Sequence, residues 1–377
     1  MNASVAADAR IVRIEAIPLK VALDRAASGS TLKFTHRCAV VTRIHTDAGV
    51  VGESYNGGDD ELQAPIVRMI ATMAGKLAGH RVLAIGGIWD ETRVFAESFF
   101  QDRRIPLRAQ ACIDSALHDA VGKLAGKPLH GLWGSTATEV PVIVLGGYYR
   151  DKNELEELAA EVAEIKSLGI AGLKLKVGGR TPAEDIKRTE AVRRAGGADF
   201  VLACDANQGW SREQAMEFAR GAADLNIAWL EEPCKWDNDR EDMAAVRKAT
   251  GVRVAAGQSE ISRFACRDLM TAGSIDICNF DASWGGGPTE WLRVAAFGRQ
   301  HGVGVTQHIE PQIGCMLVGG AANGTFLEGF LEWRDPFFYR LIADQRPFRN
   351  GKYPLPDKPG WGFSFDTGYL EHARRKD

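Results

Sequence analysis

The chain has 377 residues, of which 45% are hydrophobic and 25% charged, a composition typical of a globular protein with a substantial core. A formal net charge of −3 argues against a basic surface for nucleic acid or an anionic membrane. No apolar run approaches the roughly 18–20 residues of a membrane span, and residues 1–7 do not resemble a signal peptide. Seven single cysteines without C-x-x-C pairs argue against disulfides or structural zinc, so we expect a cytoplasmic protein.

The first third of the chain has the pattern of a small domain in which strands precede helices. Its predicted strands and helices are residues 11–17, 37–45, 50–54, 60–79 and 107–125. Because the strands come first and do not alternate with the helices, we predict an α+β domain over residues 1–135.

From residue 140 onward, apolar strand segments alternate strictly with helical segments. The predicted strands are residues 140–146, 171–177, 200–204, 227–230, 252–256, 275–280, 302–306 and 325–328. This alternation predicts a parallel sheet, and eight strands are the number that closes a TIM barrel. An open doubly wound sheet is the alternative, but no Gly-x-Gly-x-x-Gly sequence follows the first strand. We predict an α/β barrel over residues 136–334 and a tail, residues 335–377, that packs back on the first domain.

The active site of a barrel lies where its strands end, so the polar residues at those positions are the candidates for catalysis. The second strand ends with Lys174 and Lys176, which share a face because they are two residues apart. A neighbouring like charge and partial burial both lower the pKa of a lysine, which turns it into a base near neutral pH. Two lysines on a solvated edge strand are the alternative interpretation.

Acidic residues end the next two strands. Asp205, with Asn207 close behind it, ends the third strand, and Glu231 ends the fourth. One acid at a strand end often caps the following helix, but two on adjacent strands repel each other unless a cation lies between them. Hard oxygen ligands select Mg²⁺, with Mn²⁺ as an alternative. The fifth strand adds a further oxygen ligand, either the Gln258 amide or the Glu260 carboxylate.

The last strands supply a candidate acid/base pair. Asp281 ends the sixth strand and His308 the seventh, so the carboxylate can accept a hydrogen bond from the imidazole and stabilise the imidazolium. The glycine run Gly285–Gly287 is also compatible with a phosphate loop, but no P-loop lysine and Ser/Thr follow it. Glu328 on the eighth strand completes the series, so every strand from the second to the eighth ends with a polar group.

These motifs resemble the enolase superfamily, specifically its mandelate racemase subgroup. The resemblance is carried by Lys174-x-Lys176, Asp205-x-Asn207, Trp229-Leu230-Glu231-Glu232-Pro233, Gly257-Gln258, Asp281 with Gly285–Gly287, His308 and Glu328. It implies an N-terminal α+β capping domain over a modified (β/α)₇β TIM barrel. It also implies a homo-oligomer.

The resemblance implies a role for each residue at a strand end: metal ligands at Asp205 and Glu231, a base at Lys176 with Lys174 setting its pKa, a second acid/base at Asp281 with His308, and a hydrogen bond from Glu328 to a substrate carboxylate. The family usually has glutamate where this chain has Gln258. An amide oxygen can also coordinate Mg²⁺, with less charge, or Glu260 has taken over the role.

The implied chemistry is Mg²⁺-dependent removal of the proton next to a carboxylate, with stabilisation of the enediolate that forms. We hypothesise dehydration of a sugar acid to a 2-keto-3-deoxy acid. The alternatives are a racemase or epimerase, a lactone cycloisomerase, and a non-catalytic binder suggested by Gln258. A nicotinamide oxidoreductase would need a phosphate-binding glycine fingerprint, which is missing. The candidate substrate-binding residues are Asn207, Tyr55 and Tyr148.

Overall fold

The computed structural model of the protein describes residues 8–150, 154–345, 348 and 350–376. The first domain contains an antiparallel sheet of strands β1 (Ile11–Ser28), β2 (Lys33–Thr46) and β3 (Val51–Gly58), with helices Asp60–Leu77, Ile85–Arg93 and Arg104–Ala125. The predicted α+β arrangement is confirmed. The helix Ile85–Arg93 was not predicted, because two glycines in its first turn give that segment a low helix propensity, and neither was the short helix Leu129–Leu132.

The hairpin formed by β1 and β2 is longer than predicted, and its tip reaches the second part of the molecule. Thr31 Oγ1 donates a hydrogen bond of 2.8 Å to the Asn207 carbonyl, and Ser30 Oγ donates to the Ala206 carbonyl. Tyr149 N donates to the Ser28 carbonyl at 3.1 Å. The hairpin therefore covers the loops that follow the barrel strands, which is where the candidate site lies.

The second part is a parallel sheet with the strand order β10-β9-β8-β7-β6-β5-β4-β11. Its strands are β4 (Glu139–Gly146), β5 (Gly172–Lys176), β6 (Val201–Asp205), β7 (Leu230–Glu231), β8 (Val254–Ala256), β9 (Ile277–Cys278), β10 (Gly304–Val305) and β11 (Leu327–Gly329). The helices between them are Glu154–Ser167, Pro182–Gly196, Arg212–Gly221, Asp239–Thr250, Arg263–Thr271, Pro288–Gln300 and Pro311–Gly320.

The sheet curls on itself. β11 pairs in parallel with β4, and Val305 at the other end of the sheet exchanges hydrogen bonds with Asn323 and Thr325, just before β11. Each of the eight predicted strands overlaps an observed one, so the predicted (β/α)₇β barrel is confirmed. The open doubly wound sheet is excluded, because β4 and β10, which lie at opposite ends of the run of seven strands, both pair with the segment of residues 323–329.

Capping boxes define where two of the barrel helices begin. Thr181 Oγ1 accepts from Glu184 N, and the Glu184 carboxylate accepts from Thr181 N. Ser211 and Gln214 form the same reciprocal pair. These pairs satisfy amides that the first helical turn leaves unpaired. They also fix the length of the loops that follow β5 and β6, and so the position of the side chains at those strand ends.

The C-terminal segment contacts both parts of the molecule. Its strand β12 (Lys352–Pro354) pairs antiparallel with β4, while the helix Thr367–Ala373 lies against β1. A short helix, Phe337–Arg340, precedes them. The tail thus extends the barrel sheet as well as contacting the first domain, and the domain limits given above stay a prediction.

All seven cysteines are buried, and none forms a disulfide. Burial raises the pKa of the Cys112, Cys204 and Cys234 thiols to about 12, which keeps them protonated. None of the helices in the described ranges is both long and apolar enough to cross a membrane.

The glycine run after Asp281 is a packing surface for the capping domain. A Cβ on Gly287, whose φ is 91°, would lie 2.5 Å from the Asp114 carboxylate, and a Cβ on Gly285 would meet the Phe280 ring. Trp89 Nε1 donates to the Gly286 carbonyl at 2.8 Å. Close approach of the two domains therefore accounts for Gly286 and Gly287, while packing against Phe280 within the barrel accounts for Gly285.

A buried Asp–Thr–His chain crosses the same interface. Thr289 donates to Asp114 through both its backbone N and its Oγ1, each at 2.8 Å, and His118 Nε2 lies 3.0 Å from that hydroxyl. A hydroxyl has one proton, which goes to Asp114, so His118 Nε2 is the donor to the hydroxyl oxygen. Burial lowers the pKa of His118 to about 4 and raises that of Asp114 to about 7, so burial favours the neutral form of both groups.

This burial makes the stability of the interface dependent on pH. The folded pKa of His118 lies below its ordinary value, so its contribution is complete above pH 6.5 and is lost as the pH falls toward 4. Asp114 has the opposite sign: its pKa is raised, so its contribution increases as the pH falls from 7 and offsets the loss from His118. We expect His118→Gln to raise the unfolding free energy at pH 5, relative to that at pH 7, by about 2 kcal/mol compared with the parent. Urea unfolding at both pH values measures this difference, and an equal change in variant and parent would contradict the prediction.

Candidate active site

Strand register brings the predicted acidic and basic residues to one edge of the barrel. Lys176 on β5 is paired with Asp205 on β6, and Asp205 is paired with Glu231 on β7. Paired residues of neighbouring parallel strands point to the same side of the sheet. All three side chains are buried, so the register places them side by side inside the barrel mouth.

The two lysines are held by the carboxylates around them. Lys174 Nζ lies 2.6 Å from Glu231 Oε1 and 3.7 Å from Asp205 Oδ2, and it also donates to Glu328. Lys176 Nζ lies 2.5 Å from Asp205 Oδ2 and 2.9 Å from Asn207 Oδ1. The structure thus brings together six of the residues predicted from the strand ends: Lys174, Lys176, Asp205, Asn207, Glu231 and Glu328.

The predicted lowering of the lysine pKa values is wrong. Burial lowers the pKa of Lys176, and so does the charge of Lys174, but Asp205 and Tyr148 together raise it and the net pKa lies above its ordinary value. The pKa of Lys174 is raised further, because three carboxylates face it. The prediction counted the like charge on the same strand but not the acids that the neighbouring strands bring within hydrogen-bond distance.

The two carboxylates of the predicted metal site differ in their pKa values. Burial raises the pKa of Asp205, but Lys176 and Lys174 outweigh it and the net pKa is lowered. Burial raises the pKa of Glu231 to about 8; Lys174 opposes this rise, while the charges of Asp205 and Glu328 add to it. A carboxyl group with this repulsion is stabilised by an additional cation nearby.

The structure separates the two candidates for the strand-five ligand. Gln258 Oε1 accepts a hydrogen bond of 3.2 Å from Asn279 Nδ2, and the same nitrogen donates to Glu231 Oε1 at 2.8 Å. Glu260 instead pairs with Arg240 at 2.9 Å. Glu260 does not lie beside Gln258 at the cluster, because β8 ends at Ala256 and residues 257–260 form a turn closed by Glu260 N donating to the Gly257 carbonyl.

The donor set fits a hard divalent cation through oxygen atoms of two kinds. Among the residues that the structure describes, no three His, Cys, Asp or Glu side chains gather as ligands for a metal. Asp205 and Glu231 supply two buried carboxylates, and Gln258, close to Glu231, supplies a neutral amide oxygen. Carboxylate and amide oxygens, completed by water or substrate oxygens, are the ligands that Mg²⁺ accepts.

Asp281 and His308 form the predicted pair. His308 Nδ1 lies 2.8 Å from Asp281 Oδ2, and Asp281 Oδ1 accepts from Ser283 N at 2.8 Å. His308 Nε2 is therefore the nitrogen available to a substrate. Burial lowers the pKa of His308 to about 3 and raises that of Asp281 to about 7. We expected Asp281 to stabilise a protonated His308, but the lowered pKa keeps the His308 ring neutral. A neutral imidazole can act as a base.

The remaining predicted residues occupy different surroundings. Glu328 Oε2 accepts from Ile309 N at 2.9 Å while its Oε1 faces Lys174, and Lys174 holds its pKa below the ordinary value despite burial. Tyr148 lies beside the site, with its ring 5.8 Å from Lys176 Nζ and edge-on to Phe34 of the capping hairpin.

The structure does not bring Tyr55 to the site. Its side chain is fully buried, and its hydroxyl donates to Gln312 Oε1 at 2.5 Å. The rings of Phe338, Phe363 and Phe365 surround it. The predicted strand 50–54 ended before Tyr55, whereas β3 continues to Gly58, and the sequence could not show that the C-terminal segment folds over this part of the strand.

Other polar residues around the site were not singled out from the sequence. Asn279 links Glu231 to Gln258, and the Trp284 ring lies edge-on to His308 at 5.2 Å. Glu232 lay within a recognised motif, yet its side chain was given no role. A cavity of about 340 Å³ between the domains is lined by residues that include Arg37, Gly57, Asp281, Trp284, Glu310 and Phe338.

Known families match both parts of the chain. Residues 13–134 match the N-terminal domain of the mandelate racemase / muconate lactonizing enzyme family, and residues 157–369 match the enolase C-terminal domain-like family. The chain belongs to the enolase superfamily, in its mandelate racemase subgroup. It is therefore an enzyme of the mandelate racemase and muconate lactonizing type.

Individual relatives agree with this placement over nearly their whole length. Arabinonate dehydratase from Saccharolobus solfataricus is 30% identical over 348 residues, which cover 89% of this chain and 91% of the relative. D-galactarolactone cycloisomerase from Agrobacterium fabrum is 28% identical over 98% of this chain and 100% of the relative. A mandelate racemase/muconate lactonizing enzyme from a marine actinobacterium, solved in complex with magnesium, is 41% identical with a TM-score of 0.92, covering 98% of this chain and 100% of that one.

Proposed function

We propose that the protein is a Mg²⁺-dependent dehydratase that converts a sugar acid to a 2-keto-3-deoxy acid. The observation that carries the proposal is the arrangement of two groups able to move a proton, Lys176 and His308, around a buried cluster of carboxylates. The arabinonate dehydratase relative supports the reaction class, and the magnesium complex of the marine actinobacterial enzyme supports the metal.

Asp205, Glu231 and Gln258 are the residues that would hold the metal. When bound, Mg²⁺ supplies positive charge that stabilises the enediolate formed from the substrate carboxylate. Glu328 and Lys174 lie beside this position and would contact the substrate carboxylate. Asp205 is the largest contribution that raises the pKa of Lys176, so engagement of Asp205 as a ligand would weaken that contribution and let burial and Lys174 lower the pKa toward that of a base.

The proposed reaction is a loss of water in two proton transfers. Lys176 Nζ takes the proton from the α-carbon, and the electrons of the broken C–H bond form a carbon–carbon double bond. That double bond joins the α-carbon to the carboxyl carbon in the enediolate; its electrons then form the bond between the α- and β-carbons as the β-hydroxyl, protonated by His308 Nε2, leaves as water, and the resulting enol tautomerises to the ketone. His308 rests neutral, so it must take up a proton before this step, while Asp281 holds its Nδ1 and fixes the ring.

Epimerisation or lactone cycloisomerisation is the second candidate. A neutral His308 is ready to act as a base on one face of the carbon while Lys176 serves the other, which is the arrangement that inverts a centre. The D-galactarolactone cycloisomerase relative favours the same alternative. A non-catalytic binding function is the least supported hypothesis. Gln258 still lies beside Glu231, and the candidate acid/base residues Lys176 and His308 are both present.

One experiment separates these functions. A set of aldonates and aldarates is incubated in D₂O with the protein and Mg²⁺, and the products are followed by proton NMR together with a colour assay for 2-keto acids. We expect a 2-keto-3-deoxy product from at least one acid, and its loss in the His308→Asn variant. Exchange of the α-proton with epimer formation but no keto acid would establish the second candidate, and binding without any exchange would establish the binder.

A further inference from the structure

Glu310 is a buried acid that lies between the candidate active site and the capping domain. It follows His308 by two residues, and both Ile309, with a φ of 57°, and Glu310, with a φ of 54°, have left-handed backbone conformations. Non-glycine residues, β-branched ones above all, adopt that region only when contacts hold them there. The Glu310 carboxylate supplies such contacts: one oxygen accepts from Gly57 N of β3, and the other from Ser283 Oγ at 2.6 Å.

Ser283 joins Glu310 to the acid of the candidate acid/base pair. Its backbone N donates to Asp281 Oδ1 at 2.8 Å, and its hydroxyl oxygen accepts from Asn56 Nδ2 at 2.7 Å. Because Asn56 donates to that oxygen, the single hydroxyl proton is directed to Glu310. Two buried carboxyl groups therefore lie on either side of one serine, and they repel each other when both are ionised.

Two arginines face the two carboxyl groups, and each has a further partner. Arg37 on β2 pairs with Asp335, and Arg108 pairs with Asp59 at 2.7 Å. Their salt bridges go to acids outside the pair, so they compensate the repulsion only in part. The other titratable groups that face Glu310 or line the cavity beside it are Lys33, His36, Cys38, Tyr55, Asp60, Glu61 and Cys112.

The repulsion makes the two carboxyl groups share a proton near neutral pH. Burial and the charge of Asp281 raise the pKa of Glu310 to about 8, and burial raises that of Asp281 to about 7. Two acids that interact in this way titrate as a pair. A carboxyl proton needs an acceptor, and Asp281 has one in His308 Nδ1, whereas both contacts of Glu310 are donors. On its far side His308 faces the charges of Lys174, Lys176, Asp205 and Glu328.

We propose that Glu310 is a positioning residue whose buried charge keeps a proton on the Asp281–His308 pair, so that His308 Nε2 carries the proton that the leaving β-hydroxyl takes. The inference rests on the proposed dehydration. In the protonated pair, Asp281 donates its proton to Nδ1 and the neutral ring holds its own proton on Nε2. As Nε2 protonates the hydroxyl, which leaves as water, the Asp281 proton passes to Nδ1. The pair then regains a proton from solvent, and Lys176 releases to solvent the proton it took from the α-carbon.

The test follows the His308 ring directly. The protein is labelled with ¹⁵N-histidine, and the His308 signals, assigned with His308→Asn, are titrated by NMR with Mg²⁺ present in the parent, E310Q, E310D and E61Q. We expect E310Q to lower the midpoint at which Nε2 gains its proton by about one pH unit, because a neutral neighbour no longer favours protonation. The basic limb of kcat for water loss should move with it, while α-proton exchange through Lys176 keeps its parental profile. E310D keeps the charge and E61Q removes an exposed acid of the same cavity, so both should keep the parental midpoint.

Three results would overturn the proposal: a midpoint in E310Q no lower than in the parent, an equal lowering in E61Q, or an equal lowering in E310D. Circular dichroism checks the fold of each variant. If E310Q does not fold, E310D still decides: a parental midpoint supports the role of the charge, and a lowered one assigns the effect to the contacts instead. A lowered midpoint in E310Q without water loss from any acid would refute the proposed reaction but not the role of Glu310, whereas an unlowered midpoint refutes that role whatever the turnover.

Discussion

Replacing Lys176 with methionine is expected to lower kcat by about 10³-fold or more, because positioned acid/base groups typically contribute 10²–10⁴-fold. The side chain is buried at the end of β5, so no water or neighbouring lysine can take its place: Lys174 is already engaged by Glu231 and Glu328. Methionine keeps the length and volume of the side chain, so the barrel mouth stays filled. The measurements are steady-state kinetics on the acid identified as substrate and exchange of its α-proton in D₂O.

Lys176→Met is expected to lower kcat but not the affinity for Mg²⁺. Lys176 Nζ lies 2.5 Å from Asp205 Oδ2 and competes with a cation for that oxygen. Mg²⁺ affinity should therefore be equal or higher in Lys176→Met, while kcat falls. Lys187→Met, on the exposed face of the helix Pro182–Gly196, is the matched control and should change neither quantity. A Lys176→Met enzyme with parental kcat would remove the lysine from the mechanism.

Replacing Asp205 with asparagine is expected to reduce Mg²⁺ affinity at least about a hundredfold and kcat/KM by about 10³-fold or more, since a metal contributes several kcal/mol to stabilising the developing charge. Asp205 lies at the centre of the cluster, within 4 Å of both lysine ammonium groups. Its pKa is lowered despite burial, so it carries its charge at neutral pH. Calorimetry with Mg²⁺, and activity after EDTA treatment with and without added Mg²⁺, measure the two effects.

The parent should lose activity in EDTA and regain it with Mg²⁺, whereas Asp205→Asn should stay inactive in both conditions. Asp268→Asn, which removes an acid from the surface of the helix Arg263–Thr271, is the control and should behave as the parent. Full recovery of Asp205→Asn at ordinary Mg²⁺ concentration would show that Asp205 is not a ligand. Activity of the parent in EDTA would remove the metal from the mechanism.

The sequence by itself determined the barrel and most of the residues at its mouth. Fully buried parallel strands read as short apolar runs, and eight of them separated by helices allow few topologies. A strand also points its residues inward and outward alternately. The position of Lys174, Lys176, Asp205 and Glu231 at the strand ends therefore predicted their convergence, which the register confirmed.

Only the tertiary structure decided how these groups act on each other. The pKa of Lys176 depends on Asp205, 29 residues away along the chain but 2.5 Å away in space, and this contact reversed the direction predicted from Lys174 alone. Burial likewise keeps His308 neutral, although its partner Asp281 was identified correctly. Desolvation and Coulomb interactions depend on distances that spacing in the sequence does not contain.

Loop geometry and domain packing decided the rest. The sequence left Gln258 and Glu260 as alternative candidates, and the turn that follows Ala256 directs only Gln258 toward Glu231. Tyr55 was predicted to bind substrate, but β3 extends to include it and the aromatic residues of the C-terminal segment enclose it. The hydrophobic period of a sequence predicts which face of a strand or helix a residue occupies, because side-chain directions repeat regularly along the backbone. It cannot fix where a side chain points once the strand has ended, or which distant segment covers it, because long-range packing sets both.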